Sequence, residues 1–313
     1  VPIDTFPMAG RGQPLLKIDS LSVPTVASAG EKFPIDVVVD TPKAQQVEVE
    51  LSAEGRVLGK SSVGLQTGSN SVRLHAAVNT PGALDLSVAV RAQGSGEVRA
   101  DQAILLRKPK VLYVSQDPAD LDNHLTGVLA AAQFEVERQA DFDAAKLGDY
   151  QLVVFNNVDM VAFPGGIGDS ESWHRILKPN RKPVQDFVAR GGRYLGICMG
   201  AYWAGSHYFN LLDGVDAVQY LKRPGADTRR PHAKNMSVIW QGEPTKMFWY
   251  DGCALVGDGR RFDTVARYAA NHDPMAIYQD RIGIIGCHPE SEEFWYKDYY
   301  SWMRPHWHQG AHH

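Results

Sequence analysis

The sequence predicts a multidomain chain, a β-sandwich followed by an α/β domain, and two observations predict it. Residues 15 to 107 alternate apolar and polar positions with period two, in short pieces with no convincing helical stretch between them. After Arg107-Lys108-Pro109-Lys110 the rhythm changes to strand, helix, strand, the signature of βαβ units around a parallel sheet. The boundary at this basic, proline-containing hinge divides the chain into domains 1–108 and 109–313.

In the first domain the alternating pieces are "LLKIDSLSV", "FPIDVVVD", "QQVEVELSA", "NSVRLHAAV", "ALDLSVAV" and "EVRADQAILL", separated by turn-forming stretches such as "SAEG", "QTGSN", "NTPG" and "AQGSG". Valine-rich strands at this spacing argue for an antiparallel sandwich of about seven strands. The cysteine pair of an antibody domain is missing, so "immunoglobulin-like" describes the expected topology alone. No titratable cluster stands out here, and the domain reads as an accessory or binding module.

In the second domain "VLYVSQ" reads as a strand, 119 to 133 as an amphipathic helix, "FEVERQ" as a second strand and "YQLVVFNNV" as a buried one. "RKPVQDFVARGG" supplies a helix with a glycine stop, and "RYLGIC" the next strand. Further strands are expected at 236–240, 246–250, 275–279 and 282–287. The aromatic "SEEFWYKDYYSWM" reads as a closing helix. The weakly periodic 206–235, with "KRPGADTRRPHAK", reads as an exposed loop near the site, where Arg229 or Arg230 is weighed as a substrate contact against plain solvation.

Composition narrows the function classes. With 32 basic and 36 acidic residues the formal charge is −4, and no basic block suggests a nucleic-acid surface. An apolar fraction of 44% without a run of 18 apolar residues excludes a transmembrane helix. The 3 cysteines, Cys198, Cys253 and Cys287, lack the density of a disulfide scaffold. The chain starts at Val1. The expectation leans towards a bacterial extracytoplasmic protein, periplasmic or secreted, if a leader was removed, and a cytoplasmic one otherwise.

Cys198 follows a strand, with Gly196 before it and Gly200 after it. A sharp strand-to-helix turn needs small flanking residues and lifts the thiol from the sheet edge, the arrangement of a nucleophile elbow. The following helix N-terminus favours thiolate and offers the Met199 N–H to a developing oxyanion. His288, after the apolar run 282–287, supplies a base, and Glu290 an orienter, with Glu292 as the alternative third member. Gly165 and Gly166 in "FPGG" permit a backbone that turns a second N–H inward.

Gly196-Ile197-Cys198-Met199-Gly200, His288-Pro289-Glu290 and Pro164-Gly165-Gly166 resemble the signature of class I glutamine amidotransferase-like domains. The wider strings "FPGG", "VQDFVARGGRYLGICMGAYWAG" and "HPES" look closer to the amidotransferase-like N-terminal domain of biotin–protein ligases and its uncharacterised bacterial relatives. The resemblance covers roughly residues 109 to 303. It implies a flavodoxin-like three-layer α/β domain and thioester chemistry on an amide. Cys198 would be the nucleophile, His288 base and then acid, Glu290 orienter, and Gly165 or Gly166 with Met199 the oxyanion donors. Glutamine-hydrolysing members usually carry glutamine two residues beyond the second elbow glycine. Tyr202 stands there in this chain and cannot present the same amide, which argues against free glutamine as substrate.

The expected function is therefore a cysteine-dependent hydrolase or amidotransferase-like enzyme acting on an unidentified amide, small molecule or peptide, with no cofactor. The alternatives are a catalytically silent amidotransferase-like binding or assembly protein, with the sandwich docking a protein partner, and a related cysteine peptidase. Aromatic residues Tyr202, Trp203 and Tyr208 would line a peptide site or simply be core. Cys287 is expected to point away from His288, as strand neighbours alternate, and Cys253 to be buried. His306 and His308 lack spaced acidic or cysteine partners, so no metal is expected.

Overall fold

The computed structural model describes residues 16–92, 96–114, 124–139, 158–164 and 177–307. The chain divides into two compact units, Val1–Lys108 and Pro109–His313.

Among the described residues the first unit has eight strands: β1 (Lys17–Ser22), β2 (Val26–Ser28), β3 (Phe33–Thr41), β4 (Gln45–Ala53), β5 (Arg56–Leu65), β6 (Gly68–Ala76), β7 (Gly82–Ala92) and β8 (Gly96–Arg107). They form a three-stranded sheet in the order β1-β3-β6 and a five-stranded sheet in the order β2-β8-β7-β4-β5. Alternation does the work that the sequence implied: Ile35, Val37 and Val39 of β3 are fully buried, as are Leu86, Val88 and Val90 of β7. Side chains from both sheets share one apolar core. The β4–β5 turn takes positive φ at Glu54 (48°) and Gly55 (75°), which suits a two-residue hairpin. β5 is an edge strand, exposed along most of its length.

In the second unit a nine-stranded sheet runs in the order β10-β9-β11-β12-β19-β18-β17-β14-β15. Its parallel part consists of β9 (Lys110–Val114), β10 (Glu135–Gln139), β11 (Met160–Phe163), β12 (Arg193–Ile197) and β19 (Ile282–Ile285). Antiparallel β14 (Lys234–Trp240), β15 (Glu243–Trp249), β17 (Asp263–Tyr268) and β18 (Pro274–Gln279) extend it. A separate pair joins β13 (Val215–Gln219) to β16 (Cys253–Gly257). Three α-helices are described: α1 (His124–Ala131), α2 (Arg181–Ala189) and α3 (Met199–Ala204).

Strand β9 shows how the layers arise. Val111 and Tyr113 pack with Leu125 and Leu129 of α1, whereas Leu112 and Val114 pack with Val184 and Phe187 of α2 and Trp203 of α3. Apolar residues on both faces of a parallel strand require a helix on each side, which makes three layers.

Several expectations need correction. The sheet is mixed rather than parallel, because short reverse turns such as Gln241-Gly242 (φ 49° and 93°) let the chain double back beyond β19. The segment 206–235 is not plain loop: it contains β13 and a 3₁₀ turn at Tyr220–Lys222. The expected closing helix at 291–303 breaks into a π turn (Trp295–Tyr299) and a 3₁₀ segment (Ser301–His306), with Tyr300 at ψ 73° between them. Of "YQLVVFNNV", residues 150–157 lie outside the described residues, and Val158 is buried.

Candidate functional site

The parallel pairing of β12 with β19 brings two distant stretches of sequence together. Ile197 lies opposite Ile285, and the Cys198 N–H donates to the Ile285 carbonyl at 2.8 Å. Both strands end at the same sheet edge, so Cys198 and His288 emerge side by side. Such carboxyl ends of parallel strands are where sites form in open α/β sheets.

At Cys198 the backbone adopts φ 50°, ψ −103°, a sparsely populated conformation for a residue with a Cβ. Such strain costs about 1–3 kcal/mol and persists only where surrounding structure imposes it. The two glycines explain how. A Cβ on Gly196 would lie 2.4 Å from the Gly200 carbonyl oxygen, and one on Gly200 would lie 2.2 Å from that of Phe163. Three backbone segments therefore meet at a separation that excludes side chains. The buried Tyr194 hydroxyl donates to the Gly200 carbonyl at 2.7 Å and fixes the turn.

His288 is anchored by its N–H to the Phe248 carbonyl at 2.8 Å. Its ring stands edge-on to Phe248 (5.7 Å) and Trp295 (5.2 Å). Nδ1 meets Glu290 Oε1 at 2.9 Å. His288 and Glu290 are 4% and 3% exposed, so neither is hydrated enough to carry charge alone. Burial opposes the imidazolium, yet the nearby Cys198 and the Glu290 carboxylate overcome it and raise the His288 pKa to about 10. Glu290, not Glu292, meets the ring nitrogen. Its second oxygen, Oε2, is buried without a protein partner among the described residues.

Sequence reasoning missed the segment that faces the thiol from the other side. The Cys198 thiol donates to the Tyr250 carbonyl at 3.5 Å. Next along, the Tyr202 hydroxyl donates to the Asp251 carbonyl at 3.0 Å, and the Gln219 amide to the Asp251 carboxylate at 3.1 Å. Asp251 itself has φ 52°, and a Cβ on Gly252 would collide with the Gly286 carbonyl at 1.8 Å. The only trace of this in the sequence is the turn dipeptide Asp251-Gly252. Burial pushes the Tyr202 hydroxyl far above the ordinary phenol range, so it acts here as a neutral donor.

The other expected residues divide clearly. Met199 opens α3 and packs partly buried on the core. Gly165, Gly166 and His308 lie outside the described residues. Arg229 donates to the carbonyls of Leu221 and Arg223 and so ties its own segment together, while Arg230 is exposed. Trp203 is core, and Tyr202 and Tyr208 pack partly buried against the same cluster.

Cys287 sits in a different apolar cluster from Cys198, with Met236, Tyr268 and Met275, and Cys253 in a third. Burial pushes both thiols well above the usual range. All three cysteines are free. Among the described residues no group of three His, Cys, Asp or Glu side chains is placed to hold a metal ion, and His306 is exposed. Nor is any described helix long and apolar enough to cross a membrane.

Comparison with known proteins adds little beyond one segment. Among solved structures, similarity is found to the CARDB domain of a Pyrococcus furiosus protein crystallised with di-metal ions (12% identity, 29% of this chain and 91% of that one, TM-score 0.26). It is also found to a β-glucosidase from Listeria innocua (15% identity, 29% and 15%, TM-score 0.23) and to superoxide reductase (neelaredoxin) from Ignicoccus hospitalis (18% identity, 29% and 80%, TM-score 0.23). TM-scores this low carry no argument. No curated protein matches the chain. Residues 155–215, which contain the Cys198 turn and Tyr202, match the family described as "Biotin-protein ligase, N terminal".

Proposed function

We propose that the second unit is a class I glutamine amidotransferase-like domain and that Cys198 is a nucleophile towards an amide carbonyl. The observation that supports this most is Cys198, strained at the end of β12, with a buried His288–Glu290 pair just beyond the neighbouring strand β19. A core cysteine has no need of a strained backbone or of an ionisable pair beside it.

In this reading His288 takes the thiol proton as the sulfur attacks, with Glu290 on its other nitrogen. The sulfur attacks the carbonyl carbon, and the Met199 N–H with that of Gly165 or Gly166 receives the oxyanion. Collapse breaks the C–N bond while His288 passes its proton to the departing nitrogen. A thioester and a free amine result. Water then adds to the thioester with His288 as base, the C–S bond breaks, and a carboxylic acid leaves with the thiol restored. Glu290 holds the imidazole with Nε2 towards sulfur throughout.

A second reading rests on the turn at 250–252. A thiol that donates to the Tyr250 carbonyl, beside a Tyr202 hydroxyl that holds the Asp251 carbonyl, is capped rather than presented. That suits a silent binding or assembly protein. Incubation with a panel of amides, read by intact mass, separates the two. An acyl adduct on Cys198 that is absent from Cys198→Ala and His288→Ala supports the enzyme. Ligand binding without any adduct supports the silent protein.

A further inference from the structure

Among the described residues four large aromatic side chains are exposed: Tyr250, Tyr278, Phe294 and Trp302. All but Tyr278 belong to the two segments that flank His288. Tyr250 is the residue whose carbonyl receives the Cys198 thiol. Its ring, 41% exposed, stacks on Tyr300 at 5.8 Å and 27°. Tyr300 in turn meets Trp302, 60% exposed, at 5.2 Å, and packs on Phe248, which touches His288. A wall of aromatic rings thus runs from the buried imidazole to the surface.

We infer that this wall is a binding platform for a neutral, amide-bearing sugar chain, whose pyranose rings lie on Tyr250 and Trp302 and bring an amide to Cys198. An aromatic face is electron-rich and apolar while Tyr and Trp carry a polar tip. That combination matches a pyranose, with its C–H face and hydroxylated rim. The rings themselves are uncharged, and Lys297 is paired with Glu293. An extended peptide fits less well. The nearby edge strand β15 carries exposed Pro244, which has no N–H, and exposed Lys246, both of which oppose strand addition. The inference rests on the function proposed above only in taking Cys198 as the reacting atom.

The test uses the full chain and the tetramer of β-1,4-linked N-acetylglucosamine, with binding followed by tryptophan fluorescence and calorimetry. Saturable binding is expected. Trp302→Ala and Tyr250→Ala should each weaken it by about tenfold, the weight of a lost stacking contact, and Cys198→Ala should leave it within about twofold. Both rings are exposed, so these variants keep the core intact. Absence of binding to the wild type, an unchanged affinity in Trp302→Ala, or stronger competition by a neutral peptide of similar length would each overturn the platform. Binding retained without an acyl adduct counts against the chemistry and leaves the platform standing, so the two failures are distinct.

Discussion

The two units handle polar groups in opposite ways. In the sandwich, charge stays on the outer face: Arg91 meets Glu48, Glu50 and Glu97, and Lys60 meets Glu48 and Glu50, with most of these side chains well exposed. In the α/β unit, an ionisable pair, His288 and Glu290, is buried beside a thiol on a strained backbone. Surface pairs cost little and contribute little, whereas buried ionisable groups are expensive unless paired. The sandwich keeps its charges in water, whereas the strand ends of the α/β unit give up stability to bury an ionisable pair.

The largest expected effect tests that trade. Cys198→Ala and His288→Ala should each remove any acyl-enzyme, read by intact mass. The melting temperature should barely fall in Cys198→Ala but fall clearly in His288→Ala, which leaves Glu290 buried without its partner. Replacement of Glu290 by Gln should slow turnover by about 100-fold or more, because the amide no longer stabilises the imidazolium.

The same pair sets a pH dependence of stability. The folded state raises the His288 pKa to about 10 from 6.5, so its contribution is complete below about pH 6.5 and is lost as pH rises towards 10. Urea midpoints measured from pH 6 to 10 should fall more steeply for the wild type than for His288→Ala.

Backbone geometry gives the next contrast. Gly200→Ala forces a Cβ against the Phe163 carbonyl and should destabilise by about 3 kcal/mol in urea titrations. At Cys198 the sign reverses: a glycine there should be more stable than an alanine by about 1 kcal/mol, since only glycine tolerates φ 50°, ψ −103° freely. Equal stability of the two variants would show that the turn stores no strain. The smallest effect belongs to the sandwich, where Lys60→Ala should leave the urea midpoint almost unchanged.

The legibility of the sequence follows the same division. β3 and β7 were readable because one face of each is buried and the other is not. β5 was not read, since it is exposed on nearly every residue and has no alternation to show. The strands β9, β12 and β19 were legible as apolar runs, but β16 and β17 were missed: their pairing depends on reverse turns at distant positions. In the closing segment the aromatic pattern suggested one helix, and Tyr300 breaks it.

At the site, Gly196, Cys198, Gly200 and His288-Pro289-Glu290 were visible because a tight turn restricts residue type and an ionisable pair stands out after an apolar run. The Tyr250 and Asp251 carbonyls were invisible, because a backbone oxygen contributes to a site whatever side chain it carries. Gly165 and Gly166 were proposed from local conformation alone and lie outside the described residues.

The central claim is that Cys198 differs in kind from Cys253 and Cys287 because of His288. Limited alkylation with iodoacetamide, quantified for each cysteine by peptide mass spectrometry across pH in the wild type and in His288→Ala, tests it most directly. The account predicts selective modification of Cys198 in the wild type at neutral pH, with a marked loss of rate in His288→Ala. Modification of all three cysteines at one rate, or a Cys198 rate indifferent to the His288 change, would contradict it.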